Sequence, residues 1–340
     1  MHRLPAEWEK SGAVLIAWPH EATDWGYMLE EVCECYVNVL RQITRRCKAI
    51  IATPEPDVVM DRIAKAGIDT GMVAVAAVPT NDTWARDFGP ITMVDDENRP
   101  TLVDFKFNGW GLKFASDKDN LITRHLLEQG VIKGGYVNKL NFVLEGGSIE
   151  SNGRGTLLTT SECLLSPNRN GEFNRGEIES YLKETLCVDN VLWLDHGALA
   201  GDDTDSHVDT LARLAPDNGI VYVKCHDRED EHFAELEAME RQLRGFSDET
   251  GAGFKLYPVP LPRAIFDEDG ERLPATYANF LILNGTVIVP TYNQEDNDRE
   301  ALAVIGEAFK GYEVVGVDCN ALIKQHGSLH CITMQMVGQE

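Results

Sequence analysis

The chain has 340 residues, 43% of them hydrophobic, and a formal net charge of −24. That length exceeds the usual single-core size, so two domains or a ring built from repeats are the first expectations. So acidic a chain argues against nucleic acid or anionic lipid as a partner, since both are gripped through clustered lysine and arginine. The eight cysteines are scattered, with no CxxC pair and no zinc-ligand spacing. The apolar run Ala13–Trp18 is too short for a signal-peptide core, and no run reaches the length of a membrane span. These features lead us to expect a reduced, soluble, cytoplasmic protein with no membrane association.

Ala13–Trp18 reads as a buried strand, and Tyr27–Arg46 as a helix carrying Leu29, Val32, Tyr36, Val39, Leu40 and Ile43 at helical spacing. A strand at Ala49–Ala52, a helix at Pro56–Ala66 closed by Gly67 and a strand at Met72–Val78 follow. From there one pattern recurs: a hairpin, a helix and a further strand. Its hairpins join Phe88–Val94 to Thr101–Phe107, Gly147–Ser151 to Thr156–Thr160, His207–Leu214 to Ile220–Lys224 and Asn279–Leu283 to Thr286–Pro290. The last uses Asn284-Gly285, a favoured two-residue hairpin turn. The helices fall near 119–129, 175–186, 231–244 and 299–309, and the closing strands near 142–144, 191–194, 254–258 and 313–317. Cys331–Gln335 starts a fifth unit that only Ala13–Trp18, at the other end of the chain, can complete. The expected fold is a five-bladed pseudosymmetric α/β propeller of ββαβ modules, closed by the N- and C-terminal strands and forming one catalytic domain over residues 1–340.

A ring with its strand mouths facing one axis gathers those mouths into a central site. They carry Asp87, Glu145, His207, Asp209 and Cys331. Strand alternation puts His207 and Asp209 on one face and turns His330 away from the Cys331 thiol, leaving His207 as the thiol's partner. Taken singly, each has a plainer reading: Cys331 as a core thiol, Asp87 paired with Arg86, and Glu145 as a solvated turn residue. Asp202, Asp203 and Asp205 read as loop acids, and His326 as a packing or solvent-facing residue. Together, a thiol, a histidine and several carboxylates suit a planar guanidinium cation. Carboxylates grip its N–H donors, and the thiolate attacks its central carbon. His207 protonates the departing ammonia and then activates water.

The stretches NDTWARDFGP, FNGWG, LEGGSIES, GTLLTTSECLLSPNRN, GDDTDSHVDT, RLPATYANF, VIVPTYN and GSLHCITMQ resemble the agmatine deiminase family. They follow that family's order over about residues 8–337. This family lies in the pentein superfamily of guanidine-modifying enzymes, five-bladed α/β propellers that also include bacterial deiminases of peptidyl arginine. The resemblance implies hydrolysis of agmatine to N-carbamoylputrescine and ammonia, a step toward putrescine, with no metal or organic cofactor. It implies Cys331 as nucleophile through a thiouronium intermediate, His207 as acid and base, and Asp87 and Asp209 as guanidinium-binding carboxylates. Glu145 is implied to line the site, with Trp84 and Trp110 flanking the substrate chain; Asp82 is the candidate for its ammonium. The partner expected is thus a small cationic guanidino compound, and a homodimer is the default assembly.

This chain departs from the family at Gly109 and Leu112, where many members read FNAWGG, and in KCHDREDEHFAEL, which is similar to an epsilonproteobacterial branch. Three alternatives are deimination of free or peptidyl arginine, a Cys–His peptidase and a non-catalytic ring. An arginine substrate calls for a cation to meet its α-carboxylate, and the motif loops offer chiefly Arg86. Clustered carboxylates that raise a thiol pKa do not suit a peptidase. A binding ring has no use for both Cys331 and His207.

Overall fold

Asn284 and Gly285, both left-handed (φ 46° and 82°), show how a blade is made. Two positive-φ residues twist a hairpin in the sense its strands require, and Asn and Gly adopt that conformation at least cost. The turn pairs Leu281–Leu283 with Thr286–Thr291; helix Glu295–Ala308 then crosses over, and Glu313–Asp318 lies parallel to the second strand. In this computed structural model, which describes residues 2–339, the unit recurs as the blade of a five-sheet α/β propeller.

In chain order, blade one contains β1 (Ser11–Ala17), β2 (Lys48–Thr53) and β3 (Val73–Ala77), and blade two β4 (Ile91–Val94), β5 (Pro100–Lys106) and β6 (Gly135–Val143). Blade three contains β7 (Ile149–Ser151), β8 (Thr156–Thr160) and β9 (Asn190–Leu194), and blade four β10 (Ala212–Ala215), β11 (Gly219–Lys224) and β12 (Lys255–Pro260). Blade five is the unit just described, β13 to β15, and β16 (Met334–Val337) returns to pair antiparallel with β1. The ring is thus closed by the two ends of the chain, as the repeat requires. Middle strands such as β8, β11 and β14 are buried along nearly their whole length, which is why they read as continuous apolar runs.

Four expectations need correction. The first sheet has four strands, in the order β16-β1-β2-β3, because helix Pro56–Lys65 and β3 add a second crossover to blade one. The strand expected at Phe142–Leu144 begins at Gly135, and the helix expected from Arg299 begins at Glu295. Most consequential for the site, the first strands of the blades start later than their motifs. Ala85–Phe88 is a helical turn, Val208–Thr210 a 3-10 turn, and Cys331 precedes β16 in a further turn. No helix among the described residues is long and apolar enough to cross a membrane.

Asn284 also fastens blade five to blade one. Its Oδ1 accepts from Ser11 N–H (2.9 Å), and its Nδ2 donates to the carbonyls of Ser11 (2.9 Å) and Arg46 (3.3 Å). Asn284→Ala leaves those partners unpaired and puts a poorer residue in the left-handed turn. We expect a loss of about 2–3 kcal/mol of stability, measurable as a lower urea midpoint.

Candidate active site

The three turns that replace the expected strand starts place the chemistry. The Ala85–Phe88 turn is tied to the Cys331 loop by Arg86 N–H donating to the Cys331 carbonyl (3.1 Å). It presents Asp87, whose Oδ1 accepts from Gly147 N–H (3.0 Å) and lies 3.6 Å from His207 Nδ1. Its Oδ2 accepts from Trp110 Nε1 (3.0 Å). The 3-10 turn that begins after His207 buries both His207 and Asp209 completely. His207 and Asp209 therefore converge beside Gly147 through turn geometry and not through strand alternation; the thiol next to His207 is Cys163, whereas Cys331, the partner expected for it, meets Asp209 and Asn279. Neither His207 ring nitrogen has a hydrogen-bond partner, and Asp209 Oδ1 is also unpartnered. Asp209 Oδ2 lies 3.9 Å from Cys331 Sγ.

Cys331 and Asp87 open onto a cavity of about 160 Å³. Trp84, Trp110 and Phe114 supply its aromatic walls, and Asp24, Asp82 and Asp203 its remaining acids. Trp84 lies against the backbone of Gly327, where a Cβ would come within 2.2 Å of its ring, and its Nε1 donates to Asp82 Oδ2 (3.0 Å). Trp110 is at once a wall and a donor to Asp87, a second role that the sequence did not suggest. Asp203 and His326, read as a loop acid and a packing or solvent-facing residue, both line the cavity. The departing FNGWGL stretch contributes Trp110 to its wall, and Gly109, Trp110, Gly111 and Leu112 are all left-handed.

Glu145 sits one layer back. It is wholly buried, does not line the cavity, and gives both carboxylate oxygens to Arg169 Nε (2.9 and 3.1 Å). Glu145, Cys163 and His207 bring their ligating atoms within 4.8 Å of one another, but Arg169 already supplies that pocket's cation. Arg86 turns away from the cavity toward Glu7 and Gln335. Among the described residues that line the cavity there is consequently no lysine or arginine.

Burial raises the Asp87 carboxyl to about 6, with Asp209 and Glu145 adding to the rise against the opposing pull of His207 and Trp110. Asp209 is also pushed up by burial, but His330, His207 and Arg213 outweigh it and hold the carboxyl below its usual range. Burial lowers His207, yet Asp87, Cys163 and Glu145 together bring it up to about 10. Burial, then Asp209 and Asp87, push the Cys331 thiol well above its ordinary value. At neutral pH the empty site thus holds an ionised Asp87, an imidazolium and a neutral thiol.

Three contributors went unnoticed in the sequence. Asn279 Oδ1 accepts from His330 N–H (2.9 Å) and Cys331 N–H (3.3 Å), and stands 3.4 Å from the Cys331 sulfur. Arg169 orients Glu145, and His330, expected to turn from the thiol, turns to Asp209 (Nδ1–Oδ2 2.7 Å). Asn279 and Arg169 lie inside RLPATYANF and SPNRN, so the only signal for them was membership of those stretches.

A buried thiol, an imidazolium and two carboxylates at the mouth of a five-bladed α/β propeller define a guanidine-modifying hydrolase. The chain belongs to the agmatine deiminase family of the pentein superfamily, and the sequence model of Porphyromonas-type peptidyl-arginine deiminases matches residues 3–336. It is 31% identical to the agmatine deiminase of Pseudomonas aeruginosa, over 98% of this chain and 95% of that one. It superposes on a cysteine-to-serine variant of C. jejuni agmatine deiminase with substrate bound (TM-score 0.91, 36% identity, 100% of this chain and 97% of that one). A Porphyromonas gingivalis structure with a provisional arginine deiminase name is also similar (TM-score 0.93, 47% identity, 99% of each chain).

Two outcomes follow from this geometry. A Cβ on Gly147 would stand 2.7 Å from His207 Nδ1, 2.8 Å from Asp87 Oδ1 and 3.1 Å from Asp209 Oδ2. Gly147→Ala should therefore fold, by circular dichroism, yet lose about 100-fold or more in kcat/KM, as misplacement of positioned groups does. In the free protein Cys331 should react slowly with iodoacetamide at pH 7. Fast alkylation near pH 7 that disappears in His207→Ala would instead show a preformed thiolate–imidazolium pair.

Proposed function

We propose that the chain hydrolyses agmatine to N-carbamoylputrescine and ammonia. The observation that carries this reading is the cavity itself: acids and aromatic rings with no arginine or lysine among the described lining residues. An α-carboxylate has no partner there, whereas a decarboxylated diamine-like chain with a cation at each end does. Asp82, raised to about 7 by burial and then Asp24, is a ready counter-ion for the far ammonium, alongside Asp24 and Asp203. Trp84, Trp110 and Phe114 flank the aliphatic chain.

In this reading Asp87 and the free Oδ1 of Asp209 hold the guanidinium. Its positive charge lowers the thiol pKa, the thiol proton leaves to solvent, and the Cys331 thiolate adds to the central carbon. His207, as imidazolium, gives a proton to the nitrogen that leaves as ammonia, and a thiouronium remains on sulfur. Neutral His207 then takes a proton from water as the oxygen adds to the same carbon. Rupture of the C–S bond, with the proton of the new hydroxyl passing to sulfur, frees N-carbamoylputrescine and restores the neutral thiol. One water is consumed and one ammonia released. The same reading takes the chain as one catalytic unit working in the cytoplasm as a homodimer, the commonest assembly.

Ammonia release from agmatine, free arginine and an arginine-containing blocked peptide tests the assignment, each with wild type and Cys331→Ser. Release from agmatine alone, abolished by the substitution, is expected; turnover of the peptide or of arginine would move the enzyme to arginine chemistry. The pH profile of kcat/KM should be bell-shaped, because Asp87 must be ionised and His207 protonated. Activity should weaken below about 7 as Asp82 gains a proton, fall further below about 6 as Asp87 does, and fall above about 10 as His207 loses one. A profile still rising above pH 10 would remove His207 as the acid.

A further inference from the structure

Asp209 is fixed quite differently from Asp87. Both Asp87 oxygens have partners, whereas Asp209 has only Oδ2 engaged, by His330 Nδ1 at 2.7 Å, and Oδ1 is left buried and free. His330 is wholly buried too, and its second ring nitrogen meets charges of both signs. Nε2 lies 3.0 Å from Arg213 Nη2 and 2.9 and 3.1 Å from the two Glu7 oxygens.

Those Glu7 oxygens already have donors. Arg86 Nη1 reaches Oε1 at 3.0 Å, while Arg213 Nη2 and Gln335 Nε2 reach Oε2 at 2.6 and 3.1 Å. Arg213 cannot rotate out of the arrangement: its Nε is bound to Glu150 and its Nη1 to the carbonyls of Ala278 (3.1 Å) and Phe280 (2.5 Å). A guanidinium does not give up its protons, so the N–H of Nη2 that meets His330 Nε2 requires a lone pair there. The single proton of a neutral imidazole then sits on Nδ1 and points at Asp209.

We propose that Arg213 and His330, clamped by Glu7, form a positioning relay for Asp209: Arg213 sets the His330 tautomer, and the Nδ1–H of His330 holds Oδ2 so that Oδ1 faces the guanidinium. Burial, Arg213 and Arg86 hold the imidazole below its usual pKa against Glu7 and Asp209, which keeps it neutral. The relay also keeps Asp209 ionised. Around that carboxylate stand His330, His207 and Arg213, which favour its charge, and Asp87 and the Cys331 thiol, which do not gain from it. Without the His330 donor, burial and Asp87 are opposed only by His207 and Arg213. These residues never touch substrate; they act through Asp209, as outer partners of a metal-ligating histidine act through the ligand.

The relay rests on the agmatine reading for its kinetics, so the test has two arms. In the first, kcat and KM for agmatine are followed against pH in wild type, His330→Leu and His330→Asn. Leucine removes the donor, and KM should rise about 10- to 100-fold with kcat changed far less, because the carboxylate that grips the guanidinium is no longer held in register. Asparagine keeps an amide N–H near the Nδ1 position and should return KM toward its wild-type value. A merely structural histidine would lower kcat in both variants alike and show no such selective effect on KM. In the second arm, wild type labelled with 15N-histidine is read by NMR, with His330 assigned through the asparagine variant. Its neutral Nδ1–H form should persist from pH 6 to 9. An Nε2–H form, or an imidazolium at pH 8, overturns the relay even if the leucine variant does not fold. A wild type inert toward agmatine sinks the substrate reading alone, since the NMR arm still decides the relay.

Discussion

A carboxylate taken out of water needs a cation beside it, and this protein meets that need differently at the back and at the front of its ring. At the back, Arg213 lies wholly buried between Glu150 and Glu7, and Arg86 adds a second guanidinium on Glu7. One layer in front, Arg169 neutralises Glu145 and reaches Asp205 (2.5 Å). Every carboxylate in these layers has a fixed partner, which is the condition under which buried ion pairs hold together. In the cavity wall that provision stops. Asp24, Asp82, Asp87 and Asp203 face a space with no lysine or arginine among its described lining residues, and Asp209, which does not itself line it, keeps one oxygen unpaired. The site repeats the rear network with the guanidinium left out. A ligand carrying one completes it.

That difference explains the chemistry of the empty protein. Burial pushes Asp87 and Asp82 up, the former even with His207 beside it, and burial with Asp209 and Asp87 keeps the Cys331 thiol protonated. In the proposed reading a guanidinium arriving between the carboxylates opposes all these shifts together, so that the thiol ionises when its target is in place. His207 stands ready because Asp87 and the Cys163–Glu145 side already hold it protonated.

How much of this was legible in the sequence depended on whether the signal was local. The Asn284-Gly285 hairpin, the repeated blades and closure by the termini could be read because turn chemistry and strand runs are properties of adjacent residues. Cys331, His207, Asp87 and Asp209 could be read because each sits in a short, chemically odd stretch at a repeated place. The conformation that brings them together could not. The chain enters each blade through a helical or 3-10 turn, and a one-turn helix leaves no periodicity to detect. Asn279, Arg169 and the His330–Arg213 contact join residues 51 or more apart in the first case, 24 in the second and 117 in the third. Their side chains are ordinary until the ring closes. Glu145 misled for the same reason, since its partner Arg169 belongs to the next helical turn region of the blade.

The rim of the cavity shows where the fold stores strain to hold this geometry. Trp110, Asp205, Ser206 and His326 are all left-handed, although none is glycine, and each lines the cavity or adjoins a residue of the site. Such a conformation costs a non-glycine residue roughly 1–2 kcal/mol, and it persists only where surrounding contacts over-determine it. Those contacts are visible. Trp110 is tied to Asp87, Asp205 to Lys113 and Arg169, and His326 Nδ1 to the Gly201 carbonyl at 2.7 Å. Ser206, which sets the direction of His207, is held through its N–H by Asp202 (2.7 Å) and through its hydroxyl by Glu162 (2.8 Å). The loop acids Asp202 and Asp205 therefore have a structural role. They hold in place the backbone that aims the histidine, so the part of the acidity that is not spent on the substrate is spent on positioning.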